Sequence, residues 1–352
     1  MKCSREVDEG IVVKIEYHSD LENVQSDGEL ASLLSADCQS APFDRLAWWQ
    51  GLGKHCALVP LLAVAREGDA IAALPLSGGG GHLSALSNWY TFRFRPILSE
   101  GPRGEALLAA LARDLGTRAH RLTFSGLPDE DGTASRLESV FRQAGWLVLR
   151  DVCDTNHVLP VAGRSWKRYL AARPGRLRTT LKRKEKKIEV EVLTRFDETA
   201  WREYEDIYAE SWKPEEGSPA FLRAFAEAEG AAGRLRLGIA RGPQGQQHRA
   251  LAAQMWTVEG GTAFIHKLAH REAATPLSPG SVLSAALFRH AIDVDRVDLV
   301  DFGTGDDPYK RDWMEAVRPR YRLEMFRPLA PRGWPAFARI GLRRLAAGAK
   351  RG

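Results

Sequence analysis

Four cysteines in 352 residues (Cys3, Cys38, Cys56 and Cys153) stand far apart and form no CxxC pair. That spacing excludes a disulfide framework and a zinc ribbon, so reduced thiols and no metal site are expected. Long apolar runs are missing too: none approaches the roughly 20 residues a membrane-crossing helix needs. The opening MKCSREVDEG lacks the apolar stretch of a signal peptide, and a cytoplasmic chain is the expectation. There is no G-x-S-x-G, H-E-x-x-H or Cys–His constellation. The Gly78–Gly81 run has no Lys-Ser/Thr after it and is therefore not a Walker loop.

What is present describes an ordinary globular protein, with 44% hydrophobic and 27% charged residues. Its length makes two domains the natural expectation. The net charge of +5 suits an anionic ligand or surface without choosing one.

The element pattern occurs twice. Alternation places strands near 58–66, 70–76 and 81–87, with hairpin signals at Glu67-Gly68-Asp69 and Gly78–Gly81; a helix near 104–115 and a short strand at 121–124 follow. The second half repeats this with strands at 234–241, 249–258 and 262–270, turns at 242–246 and 259–261, a helix at 280–292 and a strand at 297–302. Helical spacing also marks 43–52, 165–172, 175–188, 198–211 and 219–229. The boundary falls near Pro160–Gly163, before Ser165 as an N-cap. The division is 1–160, 161–330 and a basic amphipathic tail, 331–352.

The most informative stretch runs from Thr262 to Met314: strand, Pro/Gly loop, helix, strand, then a polar turn holding Asp, Tyr and Lys. A helix that starts between two neighbouring strands offers unpaired amides and its positive dipole end to an anion. The residues SPGSVL (278–283) and DFGTGDDPYKRDW (301–313), with the order of elements, resemble the GNAT acyltransferase superfamily. The nearest branch is the BioF2-like and CelD-like group, related to the FemAB/FemX peptidoglycan aminoacyltransferases. The resemblance is strongest over 165–327, including the SWK segment (211–213), and weaker over 40–160, where PFDRLAWW (42–49) and SNWYTFRFRP (87–96) carry it. The general phosphate motif, Gln/Arg-x-x-Gly-x-Gly/Ala, is not intact, and HREAATPLSPGS offers Gly280 and Ser281 at the helix start.

The resemblance implies an α/β (α+β) chain of tandem GNAT-like domains, the N-terminal one degenerate, each with a mixed, mostly antiparallel sheet flanked by helices. It also implies direct transfer of an acyl group, with acetyl-CoA or another acyl-CoA as co-substrate, to an amine. A small-molecule, glycan or lipid-linked acceptor is implied, such as an amino sugar in exopolysaccharide or cell-envelope synthesis. A FemX-like use of aminoacyl-tRNA, and a non-catalytic scaffold, are the rival readings.

Thioester chemistry requires a neutral amine, a stabilised oxyanion and a proton for the departing thiolate; backbone amides on a splayed strand can serve the oxyanion. The candidate strand is Ala263–His270, whose alternation puts His266 and His270 on one face and Ile265, Lys267 and Ala269 on the other. His266 is a candidate general base, against the plainer role of a satisfied strand histidine. A metal shared with His270 is excluded by a separation of roughly 13 Å on a strand. Lys267 is a candidate for donor phosphate or acceptor, or a solvated lysine. Asp301 either orients the amine proton or caps the Gly303–Gly305 turn. Tyr309 is the candidate acid, a role the wider superfamily often gives to tyrosine, and Lys310 and Arg311 could meet donor phosphates or an acidic acceptor. Asp306 and Asp307 read as a solvated pair or a cation site, and Trp313 as packing. Ser278, Gly280 and Ser281 form the phosphate-loop candidate, with either serine as cap.

The stretch RPGRLRTTLKRKEKKIEV (173–190) concentrates positive charge around a narrow stripe of Leu177, Leu181 and Ile188. It could meet acceptor phosphate, an anionic bilayer or tRNA, or be solvated. With the basic tail it makes peripheral contact with the inner membrane an expectation; tRNA is the weaker partner because no aromatics interleave the charges. Oligomeric state is not legible.

Overall fold

The computed structural model describes residues 13–242 and 249–340. Its strands are β1 Lys14–His18, β2 Pro60–Glu67, β3 Ala70–Gly79, β4 His82–Ala85, β5 Ile97–Leu98, β6 Arg121–Leu127 and β7 Leu147–Pro160. After these come β8 Glu189–Leu193, β9 Leu235–Arg241, β10 Ala250–Glu259, β11 Thr262–His270, β12 Leu299–Thr304 and β13 Ala316–Phe326. The helices are α1 Gly28–Leu33, α2 Leu46–His55, α3 Pro102–Arg118, α4 Thr133–Gln143, α5 Trp166–Ala171, α6 Gly175–Lys184, α7 Glu198–Ala209, α8 Pro219–Ala231, α9 Pro279–Arg289 and α10 Lys310–Trp313.

All thirteen strands form one sheet in the order β1-β2-β3-β4-β6-β13-β7-β12-β11-β10-β9-β8, with β5 paired to β3. The expected mixed, mostly antiparallel sheet flanked by helices is what forms. Two pairs are parallel, β4 with β6 and β11 with β12. Each is joined by a crossover helix, α3 or α9, as parallel neighbours require. The duplication reaches individual hydrogen bonds. The Gly81 carbonyl accepts from His120 and Arg121 (2.8 and 3.2 Å), and the Gly261 carbonyl from Asp298 and Leu299 (2.7 and 3.2 Å).

The halves are interlocked by exchange. β13, near the end of the chain, pairs with β6 of the first half, while β7 pairs with β12 of the second. β7 and β13 pair with each other from Ala316↔Val158 to Phe326↔Leu147, with a register shift between Arg320 and Tyr321, so the two halves share one sheet. Most of this exchange is invisible to periodicity. β13 reads AVRPRYRLEMF, with Pro319 mid-strand and arginines that look solvated, yet Arg320 is 2% exposed.

One face of the sheet carries a single core shared by both halves, where Leu62, Val64 and Ile71 meet Leu237, Ile239 and Phe264 beneath Trp48, Trp201 and Phe221. The opposite face carries two separate cores. One lies under α3 and α4, around Leu107, Leu111, Phe124 and Phe141; the other, under α6 and α9, includes the expected stripe of Leu177, Leu181 and Ile188.

Candidate active site

β11 and β12 pair only over Thr262↔Leu299, Ala263↔Val300 and Phe264↔Asp301, and then separate. Both strands are irregular at that level. β11 has a bulge, since Met255 faces Lys267 while the next residue, Trp256, faces Ile265. β12 has a register shift between Asp301 and Thr304 against β7, with Gly303 at φ 68°. A bulge inserts an unpaired residue and bends its strand away from the neighbour. The result is a cleft of about 170 Å³ floored by Ile265–Leu268 and Phe302–Thr304 and bordered by Tyr309, Lys213 and Tyr208. Trp89 and Phe92, from the first half, close its side.

The bulge corrects the expected facing of β11. His266 turns to the shared core, ringed by Phe225, Phe92, Phe43 and Trp48 at 5.1 to 6.4 Å between centroids. His270 lies instead against Trp212 (4.3 Å) and the start of α9. His266 Nε2 bonds Thr257 Oγ1 at 2.8 Å. Burial, with smaller contributions from Arg45 and Lys267, lowers its pKa to about 3. A histidine this weakly basic is neutral at physiological pH and poorly matched to remove an ammonium proton. It acts as a wall of the cleft.

The polar turn after β12 is braced from below. Asp301 is buried, and its carboxylate accepts from the Gly303 amide (2.8 Å) and Asn156 Nδ2 (2.7 Å). Asn156 Oδ1 accepts from Arg320 (2.7 Å), which also bonds Glu130 at 3.0 Å. Burial raises the Asp301 pKa, against the opposing hydrogen bonds from Asn156 and Gly303. Of its two sequence-level roles, turn capping is the one its contacts serve. Lys310 Nζ donates to the carbonyls of Thr304 and Gly305, so its ammonium is engaged with the turn and turned away from a phosphate role. Asp306 accepts from Arg311 (2.6 Å) and contacts His157 Nε2 (3.1 Å).

Tyr309 stands at the cleft with its ring edge-on to Phe302, 5.6 Å between centroids. Its hydroxyl bonds nothing among the described residues. Burial, then the Asp307 charge, pushes the phenol well above its ordinary range, so it stays protonated and able to donate. Lys267 does not reach a phosphate site, because its Nζ pairs with Glu216 at 2.8 Å and lies over the Tyr90 ring at 4.6 Å.

Ser278, Gly280 and Ser281 do stand at the start of α9, but neither serine caps it. Ser278 is at the N-cap position in a left-handed conformation (φ 54°) and makes no side-chain cap bond. The amides of Gly280 and Ser281 therefore bond no acceptor among the described residues. Gln254 fixes the helix start by donating to the Gly280 carbonyl (3.2 Å) and Ser284 Oγ (2.7 Å). The basic helix α6 packs beside α9, and Lys184 donates to the Pro276 carbonyl (2.8 Å) just before the loop. Lys182, Arg183, Lys186 and Lys187 are exposed around it.

Sequence reasoning left out several contributors. Lys213, Trp89 and Phe92 lie in segments that carry the family resemblance but received no role. Asn156, Arg320 and Glu216 act through partners about 50 to 190 positions away, which no local pattern encodes. Among the described residues no group of His, Cys, Asp and Glu could hold a metal, and no helix is long and apolar enough to cross a membrane. Most of the basic tail, 341–352, lies outside the described residues.

Residues 175–311 match a family model described as an acetyltransferase (GNAT) domain. No curated protein matches the chain. Among solved structures it is similar to L-PGS from Bacillus licheniformis, with TM-score 0.55 and 13% identity over 93% of this chain and 96% of that one. FemX aligns with TM-score 0.55 and 10% identity over 87% and 96% of the respective chains. A tandem GNAT protein from the clavulanic acid biosynthesis pathway aligns with TM-score 0.50 and 13% identity over 89% and 98%. At these identities the likeness concerns the fold.

Proposed function

Residues 175–311 match an acetyltransferase (GNAT) domain, and from that premise we propose that the chain moves an acyl group, acetyl first among them, from acyl-CoA to an amine. The observation that carries this is the parting of β11 from β12 beside a tyrosine hydroxyl with no partner among the described residues.

The chain's own groups suit an acyl-CoA donor. The amides of Gly280 and Ser281, uncapped at the positive end of α9, would hold its phosphates. The edge of β11 beyond Phe264 has lost its strand partner, leaving backbone groups for the acyl carbonyl. When bound, the donor supplies an activated thioester. As the amine nitrogen bonds the acyl carbon and the C–S bond breaks, Tyr309, protonated at neutral pH, gives its Oη proton to the leaving sulfur and takes up the proton that the amine nitrogen sheds. Asp301, Asn156 and Lys310 hold the turn that carries Tyr309, and His266 and Phe92 keep water from the wall. The acceptor enters from the side formed by both halves. An amino sugar or lipid-linked amine of envelope synthesis is the proposed class, in a cytoplasmic protein touching the inner membrane at its basic surfaces.

A second reading uses aminoacyl-tRNA as donor; the exposed Lys182, Arg183, Lys186 and Lys187 beside the start of α9 favour it. Calorimetry separates the two. Acetyl-CoA binding that resists salt supports the first, and tRNA binding that weakens steeply with salt supports the second. Binding of neither leaves a scaffold.

A further inference from the structure

A chamber of about 820 Å³ opens next to the cleft, between α7 and the 213–219 segment, and Tyr208 and Lys213 border both spaces. Two polar atoms in its wall are buried without a hydrogen-bond partner among the described residues: Tyr204 Oη and Glu216 Oε2. Tyr204 is 3% exposed and the Glu216 side chain 10%. Leaving such atoms unsatisfied costs free energy that a ligand can recover.

The other Glu216 oxygen shows what the site accepts. Oε1 takes a hydrogen bond from Tyr90 (2.5 Å) and the Lys267 ammonium (2.8 Å). That ammonium also lies over the rings of Tyr90 (4.6 Å) and Tyr208 (5.6 Å). A carboxylate framed by aromatic faces is a cation cage, and the chain's own lysine fills half of it. Glu205 and Glu215 line the same chamber, so with Glu216 three carboxylates stand against two lysines, Lys213 and Lys267.

We propose that this chamber seats the acceptor, with Glu216 Oε2 and Tyr204 Oη reading a primary ammonium and the tyrosine rings packing against the acceptor's body. The assignment rests on the transferase reading and adds the residues that select its amine. Glu216 is a binding residue here.

The test is calorimetry on the full chain with matched probes: glucosamine against glucose, and tyramine against tyrosol. At least one amine is expected to bind about tenfold tighter than its hydroxyl counterpart, a preference that Glu216→Gln erases while acetyl-CoA binding is unchanged. Tyr204→Phe removes a hydroxyl that lacks a well-formed hydrogen bond among the described residues, and should weaken the amine about threefold even if Glu216→Gln folds poorly. No discrimination in the wild type, or discrimination untouched by either substitution, overturns the proposal. Amine discrimination without acetyl-CoA binding would instead remove the acyl-CoA reading and leave this site standing.

Discussion

The two halves carry the same parallel pair and treat it in opposite ways. In the first half β4 and β6 pair over three residues, His82↔Arg121 to Ser84↔Thr123, just as β11 and β12 do. Beyond that point the first half closes its own gap. The Phe94 amide donates to the Gly126 carbonyl at 3.1 Å, and the Phe94 ring packs on Phe124 (5.3 Å) inside the core. Its crossover helix is sealed too: a Cβ at Gly104 would run into the Ser99 carbonyl, so the chain lies directly on the start of α3. In the second half the gap stays open and α9 starts uncapped. The segment that plugs the first gap then sends Trp89 and Phe92 to the wall of the second. The duplicated unit is therefore open in one copy and closed in the other, with the exchange of β7 and β13 joining them in one sheet.

The largest expected effect comes from the glycine that opens the second gap. Gly303 combines φ 68° with Phe92 ring atoms 2.9–3.2 Å from where a Cβ would stand. Gly303→Ala is expected to cost about 3 kcal/mol in denaturant unfolding. Gly126→Ala in the sealed half, at φ 74° with its nearest neighbour, the Phe94 nitrogen, at 3.9 Å, should cost about 1 kcal/mol. Equal losses would remove the steric part of the contrast.

Next in size is Tyr309→Phe, expected to lower turnover about a hundredfold with acetyl-CoA affinity unchanged. Steady-state kinetics with calorimetry checks this, and undiminished turnover takes Tyr309 out of the chemistry.

A smaller effect concerns pH. With the His266 pKa lowered from 6.5 to about 3, the unfolded chain binds more protons than the folded one between those values. Its contribution to stability is complete above pH 6.5 and declines on acidification, by about 2 kcal/mol at about pH 5. His266→Phe should flatten that slope in urea melts at a series of pH values; an unchanged slope would mean that another group carries it. The smallest change is expected from deleting 332–352, which should reduce co-sedimentation with anionic liposomes by about twofold.

How much of this was legible follows the length scale of the signal. α9, β11 and β12 show in the sequence because their apolar spacing is local. The bulge at His266 leaves no such mark, and by shifting the register it moved His266 and His270 to opposite faces. The partners of Lys267, Asp301 and Lys310 were equally hidden: each ion found a buried contact in the turn or in another element, which no local pattern encodes. Asp301 was recognisable as a turn cap, but the Asn156–Arg320–Glu130 chain beneath it exists through strand exchange alone.

The contrast between a sealed and an open gap is tested most directly by the stoichiometry of acetyl-CoA binding, titrated calorimetrically into the full chain. One site per chain is the predicted result. Two sites would show that the first half binds as well, and none would contradict the open gap as a donor site.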